Sequence, residues 1–119
     1  MLSGVGVDIV DIRRFRRVME RYGERFLTRL FTHGERAYCD KKWRPEYHYA
    51  ARFAAKEAAI KVVGRRLPFT DIEVLREEMG KPTLYVKGYE KGCRWHISLS
   101  HDGDYSVAYV MMEEEFETC

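Results

Sequence analysis

The sequence predicts an α+β domain in which helices pack on an antiparallel β-sheet. Three observations carry this. Helical patterns fill most of residues 11–63, short alternating apolar runs fill most of residues 72–111, and an Asp102-Gly103 pair marks a two-residue hairpin between the last two runs. Helices followed by strands, without βαβ alternation, point to α+β rather than to a parallel sheet. At 119 residues the chain is read as a single domain spanning 1–119.

Taken in order, Gly4-Val-Gly-Val-Asp-Ile-Val10 reads as a short buried strand that joins the sheet, and Asp11 as the N-cap of a helix. Ile12, Phe15, Met19 and Tyr22 follow at three- and four-residue steps, one apolar stripe that Gly23 interrupts. Phe26, Leu27, Leu30 and Phe31 form a second apolar patch, and a polar helix is expected over 34–42. An alanine-rich helix runs from about Glu46, just after Pro45, to Val63, with Gly64 as its C-cap. Strands are expected at 72–76, 83–87, 95–100 and 105–111, with a turn over Met79-Gly-Lys-Pro82 between the first pair.

Composition narrows the class. Hydrophobic residues are 45% and charged residues 34% of the chain, as in a folded protein of cytosolic type. The formal net charge of +2 hides a division: residues 1–66 carry 16 Lys/Arg against 8 Asp/Glu, residues 67–119 carry 5 against 11. The basic half implies an anionic partner. Cys39, Cys93 and Cys119 are odd in number and form no Cys-x-x-Cys, so no disulfide framework is expected and a reducing, cytoplasmic compartment fits. No stretch approaches the ~18 apolar residues of a membrane span, and the N-terminal apolar run, broken by Asp8, lacks the form of a signal peptide.

Chemistry concentrates around Glu57, inside Arg52-Phe-Ala-Ala-Lys-Glu-Ala-Ala-Ile-Lys61. Alanine loses no side-chain entropy in a helix and leaves a narrow rod that other backbones approach closely. Phe53 points within roughly 40° of Glu57 on a 3.6-residue helix. A carboxylate among apolar groups demands a partner or a cation. Two readings satisfy it. Glu57 and Lys61 form an ordinary i,i+4 pair while Asp8 caps the following helix; or Asp8 and Glu57 converge on a hard cation, with Lys56 and Lys61 beside a phosphate. Arg13, Arg14, Arg16, Arg17, Arg21 and Arg25 crowd the first helix with few acids nearby, either a solvated face or a surface for an acidic protein or nucleic acid. The acidic second half argues against a broad nucleic-acid surface. Trp95, Ile97 and Leu99 alternate toward the core, leaving His96, Ser98 and Ser100 opposite, with His101 at the strand end. His101 is either plain surface or a ligand group; it does not form a nucleophile–base pair with Ser100, because successive strand side chains point apart.

Gly4-Val-Gly-Val-Asp-Ile9, Arg52-Phe-Ala-Ala-Lys-Glu-Ala58 with Lys61, Gly80-Lys-Pro82 and Ile97-Ser-Leu-Ser-His101 together resemble the holo-[acyl-carrier-protein] synthase family of small-type 4′-phosphopantetheinyl transferases. The resemblance covers essentially the whole chain in order, spacing and length. It implies the 4′-phosphopantetheinyl transferase-like fold, and transfer of the phosphopantetheine arm of coenzyme A to a serine of apo-acyl carrier protein, with release of adenosine 3′,5′-bisphosphate, in fatty acid biosynthesis. It further implies Mg²⁺ held by Asp8 and Glu57, Lys61 near the pyrophosphate, coenzyme A contacts from Gly80, Lys81, Pro82 and His101, and carrier docking on Arg13, Arg14, Arg17, Arg21 and Arg25. A homotrimer with active sites at subunit interfaces is implied too, with no nucleic-acid or membrane partner. One segment departs from the family pattern: Gly64-Arg-Arg-Leu-Pro-Phe69 is short and lacks a Gly-Thr-Gly loop, so Arg65 and Arg66 are candidates for phosphate contacts there. The rival functions are a non-enzymatic module that uses the arginine helix, and a metal-dependent hydrolase on the same carboxylates.

Overall fold

A computed structural model of the chain describes residues 1–76 and 80–115. Its order is β1 (Leu2–Asp11), α1 (Ile12–Leu30), α2 (His33–Asp40), α3 (Pro45–Val63), a 3₁₀ turn at Phe69–Asp71, β2 (Ile72–Arg76), β3 (Pro82–Val86), β4 (Cys93–Asp102) and β5 (Tyr105–Glu114). This is the α+β architecture expected. The five strands form two antiparallel sheets, one ordered β1-β5-β4 and one of β2-β3. The first strand joins the final hairpin, but the four later strands are not one continuous ladder. Gly88 (φ 90°) and Gly92 (φ 73°) turn the backbone between β3 and β4, and the Trp95 indole N–H donates to Tyr89 O at 3.2 Å to fix the bend.

Local chemistry explains the element ends. The Asp11 carboxylate accepts from the backbone N–H groups of Arg13 (3.0 Å) and Arg14 (3.3 Å) and so opens α1. Gly23, at φ 59° and ψ −139°, kinks that helix in a conformation open only to glycine. The kink ends the first apolar stripe early: Ile12 and Phe15 are buried, Met19 is half-buried, and Tyr22 is exposed rather than part of the core. Thr32 and Glu35 form a reciprocal capping box, which starts α2 at His33. Gly64 (φ 81°) closes α3, its N–H donating to Ile60 O at 2.9 Å. The hairpin loop is Gly103-Asp104, one residue later than expected, with Asp102 and Tyr105 as the last facing pair. Gly103 takes φ 58° and Asp104 does not have positive φ, the type II′ pattern that places glycine first. Ile12 N–H donates to Asp104 O at 2.7 Å, tying the hairpin tip to the start of α1. Met79, at the start of the expected β2–β3 turn, lies outside the described residues, as does Cys119.

Helix α3 lies across the three-stranded sheet and supplies much of the core. Ala50, Ala54, Ala55, Ala58 and Ala59 are fully buried in the helix that packs on the chain's own β1 and β5, while Tyr49 is buried against Phe31 and donates to Asp40 of α2 at 2.7 Å. Gly4 and Gly6 make the closest approach possible. A Cβ at Gly4 would sit 2.8 Å from Val62 Cγ1, and one at Gly6 would fall inside the Ala58 carbonyl. Strand alternation turns Gly4, Gly6, Asp8 and Val10 inward and leaves Val5, Val7 and Ile9 46%, 52% and 62% exposed, so β1 is buried on one face only. An aromatic cluster fills the space between α1 and α3, with Phe15 5.4 Å from Phe53 and Phe53 stacked 5.5 Å from Phe69.

The Lys56 ammonium is fully buried. It donates to Glu35 Oε1 (2.6 Å), Leu30 O (2.8 Å) and Phe69 O (3.0 Å), while Glu35 Oε2 accepts from Val74 N–H (2.8 Å). All three ammonium donors are satisfied, which is what makes the buried charge tolerable. The expectation that Lys56 stands beside Glu57 at a phosphate is therefore corrected: neighbours on a helix point ~100° apart, and Lys56 points toward the end of α1, α2 and the 3₁₀ turn. Cys39 is free and buried, its thiol pushed up to about 12 by desolvation. No helix among the described residues is long and apolar enough to cross a membrane.

Gly6→Ala forces β1 away from Ala58. Urea melts should show a loss of about 1–3 kcal/mol, the usual cost of overpacking a tight contact.

Candidate functional site

The glycine-lined approach of β1 to α3 carries Asp8 to the side of α3 that bears Glu57 and Lys61. Asp8 and Glu57 line one cleft of about 430 Å³, together with Arg14, Phe15, Phe26 and Phe53. Burial and the adjacent Asp8 charge push the Glu57 carboxyl above its ordinary value of 4.5, while Lys61 and Arg66 pull the other way. Lys61 Nζ donates to Val7 O (2.9 Å) and to Asp8 Oδ1 (3.2 Å). The i,i+4 pair of the first sequence reading is not formed: among the described residues no ion pair holds Glu57, and Asp11, not Asp8, caps α1.

Two carboxylates with unspent lone pairs in one cleft are the donor set of a hard cation, which completes its shell with water and phosphate oxygens. No group of three or more His, Cys, Asp or Glu gathers among the described residues, so the protein offers two ligands rather than a closed cage. Asp8 and Glu57 fit a magnesium-sized cation whose remaining positions are open to other oxygen ligands. Glu57 also borders a second cleft of about 410 Å³, where Lys61, Arg65 and Arg66 supply the cations. The short loop after α3 places both arginines there. Arg65 is steadied by Tyr89, its Nε donating to the phenol oxygen at 3.1 Å. The two clefts thus meet at Glu57, one walled by aromatics and one by positive charge.

His101 and the Gly80-Lys-Pro82 turn do not reach this place. His101 lines a separate cleft of about 240 Å³ with Tyr47, His48, Arg52 and Arg76, and its ring meets Tyr47 edge-on at 5.8 Å. Gly80 O accepts from Arg76 Nη1 at 2.5 Å, so Arg76 ties the turn that contains Lys81 and Pro82 to the cleft of His101. Among the described residues no acid lines this cleft. Burial first, and then the nearby Arg52, Lys42, Arg76 and His101, hold His48 below its ordinary 6.5. Arg52 is almost fully buried with its Nε unpartnered and its guanidinium 4.3 Å over Tyr38. Sequence reasoning passed over Arg52, Arg76 and His48. Arg52 carried a signal, a charge in an alanine-rich helix; Arg76 and His48 carried none, because only the fold brings them together.

The arginines of α1 are all exposed. Arg13 is engaged with Asp11 (3.7 Å) and Asp104 (3.5 Å), and Arg16 with Glu46 (3.7 Å). Arg14 faces the Asp8–Glu57 cleft, and Arg25 edges an apolar groove of about 570 Å³ formed by Val18, Tyr22, Phe26 and Leu30. Arg17 and Arg21 stand in solvent, Arg21 lying 5.4 Å over Tyr22.

Residues 4–110 match the family model of the 4′-phosphopantetheinyl transferase superfamily. The holo-[acyl-carrier-protein] synthase of Geobacter sulfurreducens is 44% identical, over 95% of this chain and 98% of its own. Among solved structures, the holo-[acyl-carrier-protein] synthase of Neisseria meningitidis superposes with a TM-score of 0.87 at 31% identity, over 96% of this chain and 100% of the other. The enzyme of that name from Bacillus anthracis, in complex with CoA (3′,5′-ADP), gives a TM-score of 0.83 at 34% identity, over 96% and 98% of the two chains.

The raised proton affinity of Glu57 has a sign in stability. Above pH 4.5 the unfolded chain releases this proton while the native chain keeps it, so stability falls with rising pH until the native carboxyl also ionises. In metal-free protein, urea melts across that window should show this slope, and Glu57→Gln should remove it.

Proposed function

The chain belongs to the 4′-phosphopantetheinyl transferase superfamily, and on that premise we propose that it transfers the 4′-phosphopantetheine group of coenzyme A to a serine of apo-acyl carrier protein. The observation that carries the reading is the meeting of two carboxylates and three cationic side chains around Glu57. The serine oxygen bonds to the β-phosphorus of coenzyme A, and the bond from that phosphorus to the bridging oxygen breaks. Adenosine 3′,5′-bisphosphate leaves with the negative charge. Asp8 and Glu57 hold magnesium, which when bound supplies Lewis-acid neutralisation of the pyrophosphate. Lys61, with Arg65 and Arg66 beside it, stabilises the charge that gathers on the leaving phosphate. Glu57, directly or through a water, accepts the serine proton, because it is the carboxylate at which the two clefts meet.

The positive cleft around His101 receives a phosphate of coenzyme A, and the Gly80-Lys81-Pro82 turn lies beside its adenine. Because this cleft is separate from that of Asp8 in one chain, a complete site needs a second copy. The outer sheet face supports such an assembly: exposed Val5, Val7 and Ile9 of β1 stand beside half-buried Met111, exposed Tyr109 and half-buried Val107 of β5 in one apolar patch. A homotrimer covers that face. The whole chain, 1–119, works as one transferase domain in the cytoplasm, in fatty acid biosynthesis. An acidic carrier protein docks on α1, where Arg13, Arg14, Arg17, Arg21 and Arg25 steer it and Arg14 meets it at the mouth of the Asp8–Glu57 cleft. Nucleic acid and membrane are not partners in this reading. A binding module needs no acid pair beside cationic clefts, and a hydrolase needs no carrier-docking surface.

Incubating the protein with coenzyme A, Mg²⁺ and apo-carrier should add one phosphopantetheine to the carrier mass; an unchanged mass across several carriers overturns the reading. Glu57→Gln should lower kcat about 10²–10⁴-fold with the fold retained. Arg17→Glu with Arg21→Glu should raise the carrier KM roughly tenfold and spare coenzyme A affinity, since neither residue lines the clefts around Glu57.

A further inference from the structure

We infer that Lys61 is the resident counter-ion of Asp8, which a divalent cation must displace, so that metal arrival releases the ammonium toward the Arg65–Arg66 cleft where phosphate binds. The inference rests on the reading of Asp8 and Glu57 as metal ligands. Its basis is where Lys61 spends its donors. Glu57 lies one turn back on the same helix and is the ordinary partner for a lysine at i+4. Lys61 instead leans across to β1, donating to Val7 O at 2.9 Å and Asp8 Oδ1 at 3.2 Å. Two of its three donors are used on that strand.

This contact and a metal–Asp8 bond compete. A small divalent cation needs close oxygen ligands in a near-octahedral shell, and an ammonium on the same carboxylate both occupies an oxygen and repels the ion. The ammonium is free to leave: the Lys61 side chain is 54% exposed, against 19% for Asp8, and no residue closes over it as Glu35 closes over Lys56. Lys61 also lines the cleft of Arg65 and Arg66, so a change of rotamer carries the charge from the carboxylate side of Glu57 to the phosphate side. Metal alone must strip Asp8 of its counter-ion with nothing gained by Lys61. With phosphate present the released ammonium finds a new acceptor. Metal and phosphate therefore bind with positive coupling, and linkage makes the effect reciprocal.

The test is Mn²⁺ binding to the phosphate-free protein, followed by the electron paramagnetic resonance signal of free Mn²⁺, for wild type, Lys61→Met and Lys61→Arg. Lys61→Met should bind Mn²⁺ about fivefold more tightly than wild type, the upper end for release of one partly exposed ion pair. Lys61→Arg keeps a cation on Asp8 and should stay near wild type. Circular dichroism melts confirm that both variants fold, as expected for a solvent-facing side chain. Equal or weaker Mn²⁺ binding by Lys61→Met overturns the exchange while leaving Asp8 and Glu57 as ligands. Absence of Mn²⁺ binding in all three proteins overturns the ligand assignment and the exchange together.

Discussion

The contact between β1 and α3 is the constraint on which the rest of the structure depends. Gly6 and Ala58 allow strand backbone to touch helix backbone, with no room for even a single added methyl group. At that separation an aspartate two residues along the strand, Asp8, reaches the helix surface that presents Glu57 and Lys61. A wider spacing, set by ordinary apolar side chains, would leave the carboxylates too far apart to feel one another. The alanines that flank Glu57 thus serve first as packing against the chain's own sheet, and the acid pair is a consequence of that packing.

A second constraint separates the charges of α3 by function. Lys56 and Glu57 are adjacent in sequence but face different environments. The lysine is locked by Glu35 and two backbone carbonyls into the junction of α1, α2 and the 3₁₀ turn, while the glutamate stays half-buried and unpaired. Satisfying every donor of Lys56 makes it a structural charge. Leaving Glu57 without an ion pair, partly buried and beside a like charge, raises its proton affinity instead. Arg52, near the middle of the same helix, and Lys61, in its last turn, extend this division toward the His101 cleft and the Arg65–Arg66 cleft. One helix therefore carries core packing, a structural ion pair and parts of two distinct clefts lined by basic side chains.

Chirality and periodicity made most elements legible in advance. The Asp11 cap, the Gly23 break, the Gly64 stop and the strands at 72–76 and 105–111 follow from rules that act over a few residues, and these appear as expected. The hairpin loop was misplaced by one residue because Asp102-Gly103 and Gly103-Asp104 are both compatible with a tight turn, and cross-strand pairing decides between them. The separation of β2-β3 from the larger sheet was not legible either, since strand propensity does not say which edges meet. Asp8, Glu57 and Lys61 stood out in sequence as unusual residue types in their settings. His48 and Arg76 did not, because an exposed or half-buried basic side chain is unremarkable until the fold gathers several around one cleft.

The sequence by itself determined the helices and strands, the α+β class and the motifs that place the chain in its superfamily, because these depend on short-range sterics, side-chain periodicity and residue order. Only the tertiary structure decided how the charges are partnered. Lys61 lies four residues from Glu57 and 53 from Asp8, yet it is Asp8 that it holds. The physical reason is that a charged side chain is directed by the field and the acceptors within a few ångströms, and those are fixed by the close approach of β1 to α3 rather than by distance along the chain.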